Sequence, residues 1–182
     1  MNVVETSLPG VVIIEPRVFG DERGFFLETF QKERYRKEAG IELEFVQDNH
    51  SRSTKAVLRG LHFQKTKPQG KLVRVVSGEV YDIAVDINPS SSTFGRYESV
   101  ILSAENKRQL WIPPGYAHGF LVLSEIADFE YKCTDYYDAT DEGGVIWNDP
   151  DLDIDWPVDK PIVSEKDLKL PTLQAVAKDY SK

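Results

Sequence analysis

The chain contains one cysteine and one methionine in 182 residues. A lone thiol, Cys133, rules out an internal disulfide and suits a reducing compartment, where it serves as a small apolar side chain. Long apolar runs are missing too. No stretch approaches the roughly 20 residues of a membrane span, and the opening MNVVETSLPG has neither the basic region nor the apolar run of a secretory signal. These absences predict a cytoplasmic protein with no membrane partner. Basic residues are in the minority, 22 Lys and Arg against 30 Asp and Glu, and the formal net charge of -8 argues against a nucleic-acid partner, which needs a basic face. One small anionic ligand remains compatible with that total, because a few cations gathered in a pocket are hidden in it. Histidine is scarce as well, limited to His50, His62 and His118.

What is present is a succession of β-branched and aromatic runs cut by Gly, Pro and Ser, over a length that fits one domain spanning residues 1–182. Residues 11–15 (VVIIE), bounded by prolines, read as a strand suited to an edge position. Residues 19–30 pack turn chemistry and charge against an aromatic strand. Residues 31–39 have good helix propensity and stop at Gly40, so they predict the one well-formed helix before the C-terminal segment. Ser77-Gly78 between two apolar runs reads as a two-residue hairpin turn. In the following strand Tyr81, Ile83 and Val85 alternate with Asp82, Ala84 and Asp86, which predicts one wetter face. Strands continue through residues 97–102, 109–113, 118–123 and 128–135. Residues 141–159 are acidic, loop-rich and anchored by Trp147 and Trp156, and Ser164-Glu165-Lys166-Asp167 is a helix N-cap signature in a helical or loop tail at 160–182. Short strands at this spacing mean an all-β, antiparallel barrel or jelly roll.

The chemistry concentrates in Arg59-Gly60-Leu61-His62-Phe63-Gln64, where a guanidinium and an imidazole lie three residues apart on a buried strand. Strict alternation puts Arg59 and His62 on opposite faces, so the strand must bulge or one of them acts from a neighbouring edge. Gln47, Asn49 and His50 form a polar strand end that suits either a ligand or an Asx turn. Taken singly, Tyr131 is equally a core aromatic, Lys71 a solvated strand end, and Asp167 a helix-start residue.

Pro113-x-Gly115-x-x-His118 resembles the second motif of the cupin barrels, and His62 lies where their first motif carries metal-binding histidines. Here His62-Phe63-Gln64 replaces His-x-His and no nearby Cys or His completes a ligand set, so a metal-free cupin-like barrel is expected. A longer series of words resembles the dTDP-4-dehydrorhamnose 3,5-epimerase family: Phe19-Gly-Asp-Glu-Arg-Gly-Phe-Phe26, Gln47-Asp-Asn-His50, Arg59-Gly-Leu-His62, Gln69-Gly-Lys-Leu-Val-Arg74, Ser103-Ala-Glu-Asn-Lys-Arg-Gln-Leu-Trp-Ile-Pro113 and Ala117-His-Gly-Phe120. Tyr131-Lys132, Tyr136-Tyr137, Glu142 and Trp147-Asn148-Asp149 continue it along nearly the whole chain.

The resemblance implies inversion of C3 and C5 of a dTDP-linked 4-keto-6-deoxy sugar, both carbons being acidified by the C4 ketone. It implies His62 as base, Asp167 as the carboxylate that orients it, Lys71 as the cation near the enolate oxygen, and Tyr131 as proton donor from the other side. Arg23 and Arg59 would hold the diphosphate. Glu28, Gln47, Asn49, His118, Tyr137, Glu142 and Lys166 would make further ligand contacts, with Tyr137 stacked on thymine. It also implies a homodimer whose N-terminal strands, VVIIE included, pair into the partner's sheet. The alternatives are a related mono-epimerase or ketoisomerase, a metal-dependent cupin oxygenase, and a sugar-binding cupin without activity.

Overall fold

Apolar alternation along the runs is spent on two sheets laid face to face, with a covering layer outside each. The computed structural model describes residues 1–180; the last two residues of the expected tail lie outside it. In chain order the elements are β1 (Asn2–Glu5), β2 (Val12–Glu15), β3 (Val18–Asp21), β4 (Gly24–Leu27), α1 (Lys32–Ala39), β5 (Gln47–Thr54), β6 (Val57–Gln64), β7 (Lys71–Ser77), β8 (Glu79–Asp86), β9 (Tyr97–Ser103), β10 (Gln109–Ile112), β11 (Tyr116–Val122), β12 (Ile126–Cys133), β13 (Glu142–Gly144), β14 (Ile162–Val163), a 3-10 turn (Asp167–Lys169) and α2 (Leu173–Tyr180). One sheet runs β1-β2-β10-β7-β12-β5. The other runs β13-β6-β11-β8-β9 and carries β14 alongside β6. Except for the parallel β14–β6 pair, the pairings are antiparallel, and the result is the expected jelly-roll barrel.

Between the sheets Val73, Val75, Leu110, Ile112 and Phe129 of the first meet Val80, Val100, Leu102, Phe120 and Val122 of the second. Phe120 and Phe129 stack across the gap with centroids 4.2 Å apart. Each such buried side chain contributes about 1.5–3 kcal/mol of apolar transfer. Outside the first sheet, α1 covers Val12, Ile14, Leu72 and Trp111 with Tyr35. Its ends match their residue types: the Gln31 side chain accepts from the Arg34 N–H, and Gly40 closes it at φ 68°. Outside the second sheet the C-terminal segment lays Leu152, Leu173 and Val176 over Leu61, Ile83 and Val85. Because both faces of β8 and β11 are covered, nearly every residue in them is buried.

The structure corrects three local readings. The VVIIE strand is not an edge, since β2 is flanked by β1 and β10 of its own chain, so it has no free side for a partner's sheet. Ser77-Gly78 is not a hairpin turn: β7 and β8 belong to different sheets, and the chain crosses between them at Gly78 (φ 78°), where a Cβ would lie 2.1 Å from the Ile126 carbonyl oxygen. The Asp82–Asp86 face of β8 is the buried inner one, while the apolar face carrying Ile83 and Val85 lies under the C-terminal segment. Ser164 caps as its residue type suggests, its Oγ accepting from the Asp167 N–H at 3.1 Å, and the element it opens is a 3-10 turn.

Candidate active site

β6 is the strand on which the site is assembled, and its decisive feature is a bulge. His62 pairs with His118 and Arg59 with Phe120, so three steps along β6 oppose two along β11. The extra residue reverses the parity of the strand and places Arg59 and His62 on the same cavity, which resolves the alternation problem. Gly60 sits in the bulge at φ 120°, and a Cβ there would stand 2.6 Å from Gly119 Cα. Its N–H leaves the ladder and donates to Asp167 Oδ2 at 3.3 Å.

That hydrogen bond helps to seat a buried carboxylate against His62. Asp167 Oδ1 lies 2.7 Å from His62 Nε2, on the turn capped by Ser164. Burial pushes the Asp167 carboxyl up. The His62 hydrogen bond, its charge and the Gly60 N–H outweigh that and hold the group below the usual carboxylate range. The ring is 29% exposed and the carboxylate 6%. A carboxylate on Nε2 keeps the proton there, so the neutral ring keeps its lone pair on Nδ1.

Arg59, His62, Lys71, His118, Phe129, Tyr131, Lys166 and Asp167 line one cavity of about 490 Å³. A mouth of about 240 Å³ adjoins it, lined by Gln47, Asn49, Gln64, Gln69, Tyr137 and Glu142 and sharing His62, Lys71 and Tyr131. Such volumes suit a small-molecule ligand. Tyr131 projects from the first sheet and His62 from the second, so phenol and imidazole face the space from opposite walls. Burial raises the Tyr131 hydroxyl, with Cys133 adding to it and Arg59 opposing, so the phenol remains protonated at neutral pH. Burial lowers the Lys71 ammonium, while Cys133, Asp82 and Glu142 pull it back up.

At the mouth Glu142 Oε2 accepts from Tyr137 at 2.7 Å and from Lys166 at 2.5 Å, and Oε1 lies 4.0 Å from His62 Nε2. Burial raises the Glu142 carboxyl, but Lys166 and Tyr137 bring it below its ordinary value. Gln47 also accepts from the Tyr137 N–H and thereby fixes the loop that carries this ring.

Of the residues singled out in the sequence, His62, Asp167, Lys71, Tyr131, Arg59, His118, Lys166, Gln47, Asn49, Tyr137 and Glu142 come together here. Arg23 and Glu28 do not reach the cleft of their own chain. Arg23 sits on the β3–β4 hairpin and bonds Asp21, and Glu28 pairs with Arg34 at 3.1 Å. Two residues were missed. Ser53 accepts from Arg59 Nε at 2.9 Å, and fully enclosed Asp82 bonds His118 with both oxygens at 3.0 Å. The signal for Asp82 was a charge inside an otherwise apolar strand, read as solvated. Among the described residues no group of three His, Cys, Asp or Glu side chains is placed to hold a metal ion.

A jelly-roll barrel with a carboxylate-held imidazole on one wall, a protonated phenol on the other and an ammonium lining both cavities defines a cupin-like protein that carries the groups acid–base chemistry needs. The sequence pattern of the dTDP-4-dehydrorhamnose 3,5-epimerase family matches residues 5–175, and the chain belongs to that family. A dTDP-4-dehydrorhamnose 3,5-epimerase of Shigella flexneri is 57% identical over 92% of this chain and 93% of its own length. A dTDP-6-deoxy-D-glucose-3,5-epimerase of Legionella pneumophila, solved with dTDP-4-keto-L-rhamnose, is 54% identical with a TM-score of 0.95, covering 98% of this chain and 95% of that one. A 3'-monoepimerase of Streptomyces bikiniensis is 34% identical with a TM-score of 0.90, covering 98% and 90%. The chain is an isomerase, and its reaction is 3,5-epimerisation in dTDP-L-rhamnose biosynthesis.

Proposed function

We propose that the chain converts dTDP-4-dehydro-6-deoxy-D-glucose to dTDP-4-dehydro-L-rhamnose with His62 as base and Tyr131 as acid. The observation that carries this is the His62–Asp167 pair opening on a cavity whose far wall is Tyr131. The Nδ1 lone pair of His62 takes the proton from the carbon next to the C4 ketone, and the C–H electrons move to the carbonyl oxygen as an enolate. Asp167 steadies the imidazolium, and the Lys71 ammonium donates to the enolate oxygen. Collapse of the enolate takes the Tyr131 proton on the opposite face of the carbon, which inverts it. Exchange of both groups with solvent resets them for the second carbon. As read, the sequence of steps uses no cofactor.

Arg59, aligned through its Nε on Ser53, keeps its terminal nitrogens for the diphosphate. Tyr137 stacks on thymine, and Gln47, Asn49, His118, Glu142 and Lys166 contact the ligand. Arg23 and Glu28 serve a second protomer in a cytoplasmic homodimer. In support, the hairpin leaves both sheets and exposes Phe19, Phe25 and Phe26 by 50%, 63% and 70%, and the outer edge of β1 is unpaired among the described residues. A monomer in sedimentation at micromolar concentration would remove that part of the reading. For the reaction, the substrate is incubated in deuterated water. Deuterium and inversion at both C3 and C5 are expected, whereas change at one carbon alone would make the chain a mono-epimerase like the Streptomyces relative.

A further inference from the structure

His62 and His118 stand directly opposite one another on neighbouring strands, and each gives Nε2 to a buried aspartate. The cleft therefore holds two carboxylate–imidazole pairs, of which proton abstraction uses one. Asp82 is 0% exposed, and among the described residues His118 alone hydrogen-bonds its carboxylate, through both oxygens at 3.0 Å. A buried carboxyl without a partner is costly, and here the His118 ring supplies that partner.

The atom left over on His118 decides what the pair can do. With the proton held on Nε2, Nδ1 carries a lone pair and is an acceptor. That atom has no protein partner among the described residues, and none of their buried side-chain nitrogens or oxygens is left unsatisfied. Nδ1 therefore opens on the cavity that the ring lines. An acceptor needs a donor. In a 4-keto-6-deoxy sugar the ketone and the diphosphate offer lone pairs, and the donors are the hydroxyls on C2 and C3.

We propose that Asp82 is a positioning residue: it holds His118 with Nδ1 as acceptor for a C2 or C3 hydroxyl and so sets how the sugar lies over His62. This rests on the epimerase reading. The alignment needs the full carboxylate, because an amide in its place can bond either ring tautomer and no longer dictates which nitrogen faces the sugar.

Nitrogen-15 NMR of the free wild-type enzyme reads the tautomer without a variant: Nε2–H on His118 is expected, and Nδ1–H overturns the proposal. Asp82→Asn is expected to mix the tautomers and to lower kcat/KM about tenfold, the scale of one hydrogen bond, with dTDP affinity within about twofold because the nucleotide binds elsewhere. Asp82→Asn, His118→Phe and the double variant form a cycle. A double variant no worse than His118→Phe supports action through His118, and losses that multiply overturn it. Wild type run in parallel separates the two levels. No exchange by wild type would overturn the epimerase reading and this one with it, while active wild type with unchanged Asp82→Asn kinetics and tautomer would overturn this inference alone.

Discussion

The outer face of the first sheet carries an imidazole–aspartate pair that resembles the one in the cleft, and the two differ in their surroundings. On the outside, His50 Nε2 lies 3.0 Å from Asp128, in the cleft His62 Nε2 lies 2.7 Å from Asp167, and both carboxylates are buried. Asp128 spends both oxygens on Arg52 at 2.9 Å, and the His50 ring is 53% exposed with Glu130 on its other side. Asp167 meets no guanidinium; besides His62 it takes a backbone N–H, and its imidazole faces a phenol and an ammonium. Both rings line cavities, of about 360 Å³ outside and about 490 Å³ in the cleft, so what separates the pairs is the carboxylate: Asp128 is engaged by a guanidinium, whereas Asp167 leaves its charge to the imidazole.

The sharpest test of that contrast is His62→Ala, expected to lower kcat about 10³–10⁴-fold with dTDP affinity, measured by calorimetry, within a few-fold. Equal losses of both would erase the distinction between chemistry and binding. Next comes the bulge that seats Asp167. Gly60→Ala forces a Cβ into Gly119 Cα at 2.6 Å from a φ of 120°, and should cost about 3 kcal/mol, a Tm fall of about 6–12 °C. An unshifted melting curve would show that the strand can relax there. Tyr131→Phe should lower inversion about 10²-fold while leaving deuterium uptake through His62 less affected; unchanged kinetics would remove the phenol from the mechanism.

The outer pair predicts an effect on stability and none on turnover. The Arg52 hydrogen bond, with the one from His50, pulls Asp128 from 3.8 to about 2. A depressed folded-state carboxyl contributes stability above its unfolded value and loses it as pH falls through the folded one. Asp128→Asn should accordingly flatten the urea-unfolding profile between about pH 4 and pH 2 and leave neutral-pH activity alone. The smallest effect is assigned to His50→Ala, with turnover within about twofold of wild type, since the ring is half solvated; a loss near that of His62→Ala would end the comparison.

Much of this was legible in the residues. Gln31 and Gly40 marked both ends of α1, the Ser164 cap was real, and the words around His62, Lys71, Tyr131 and Glu142 marked side chains that do share one cleft. Asp82 was legible only as a charge in an apolar strand. Which way it pointed depended on the C-terminal segment closing over the other face of β8.

Caps, turn residues and alternation are local quantities, set by the chemistry of a few consecutive side chains, and the sequence alone determined them: an all-β chain, one early helix, and a strand bearing Arg59 and His62. Pairing is a relation between segments far apart. Only the folded chain could decide that β7 and β8 part at Gly78 into different sheets, that β1 covers β2, and that one extra residue at Gly60 turns Arg59 and His62 to the same side. The physical reason is that a bulge exists only relative to a partner strand, and no count along β6 contains the register of β11.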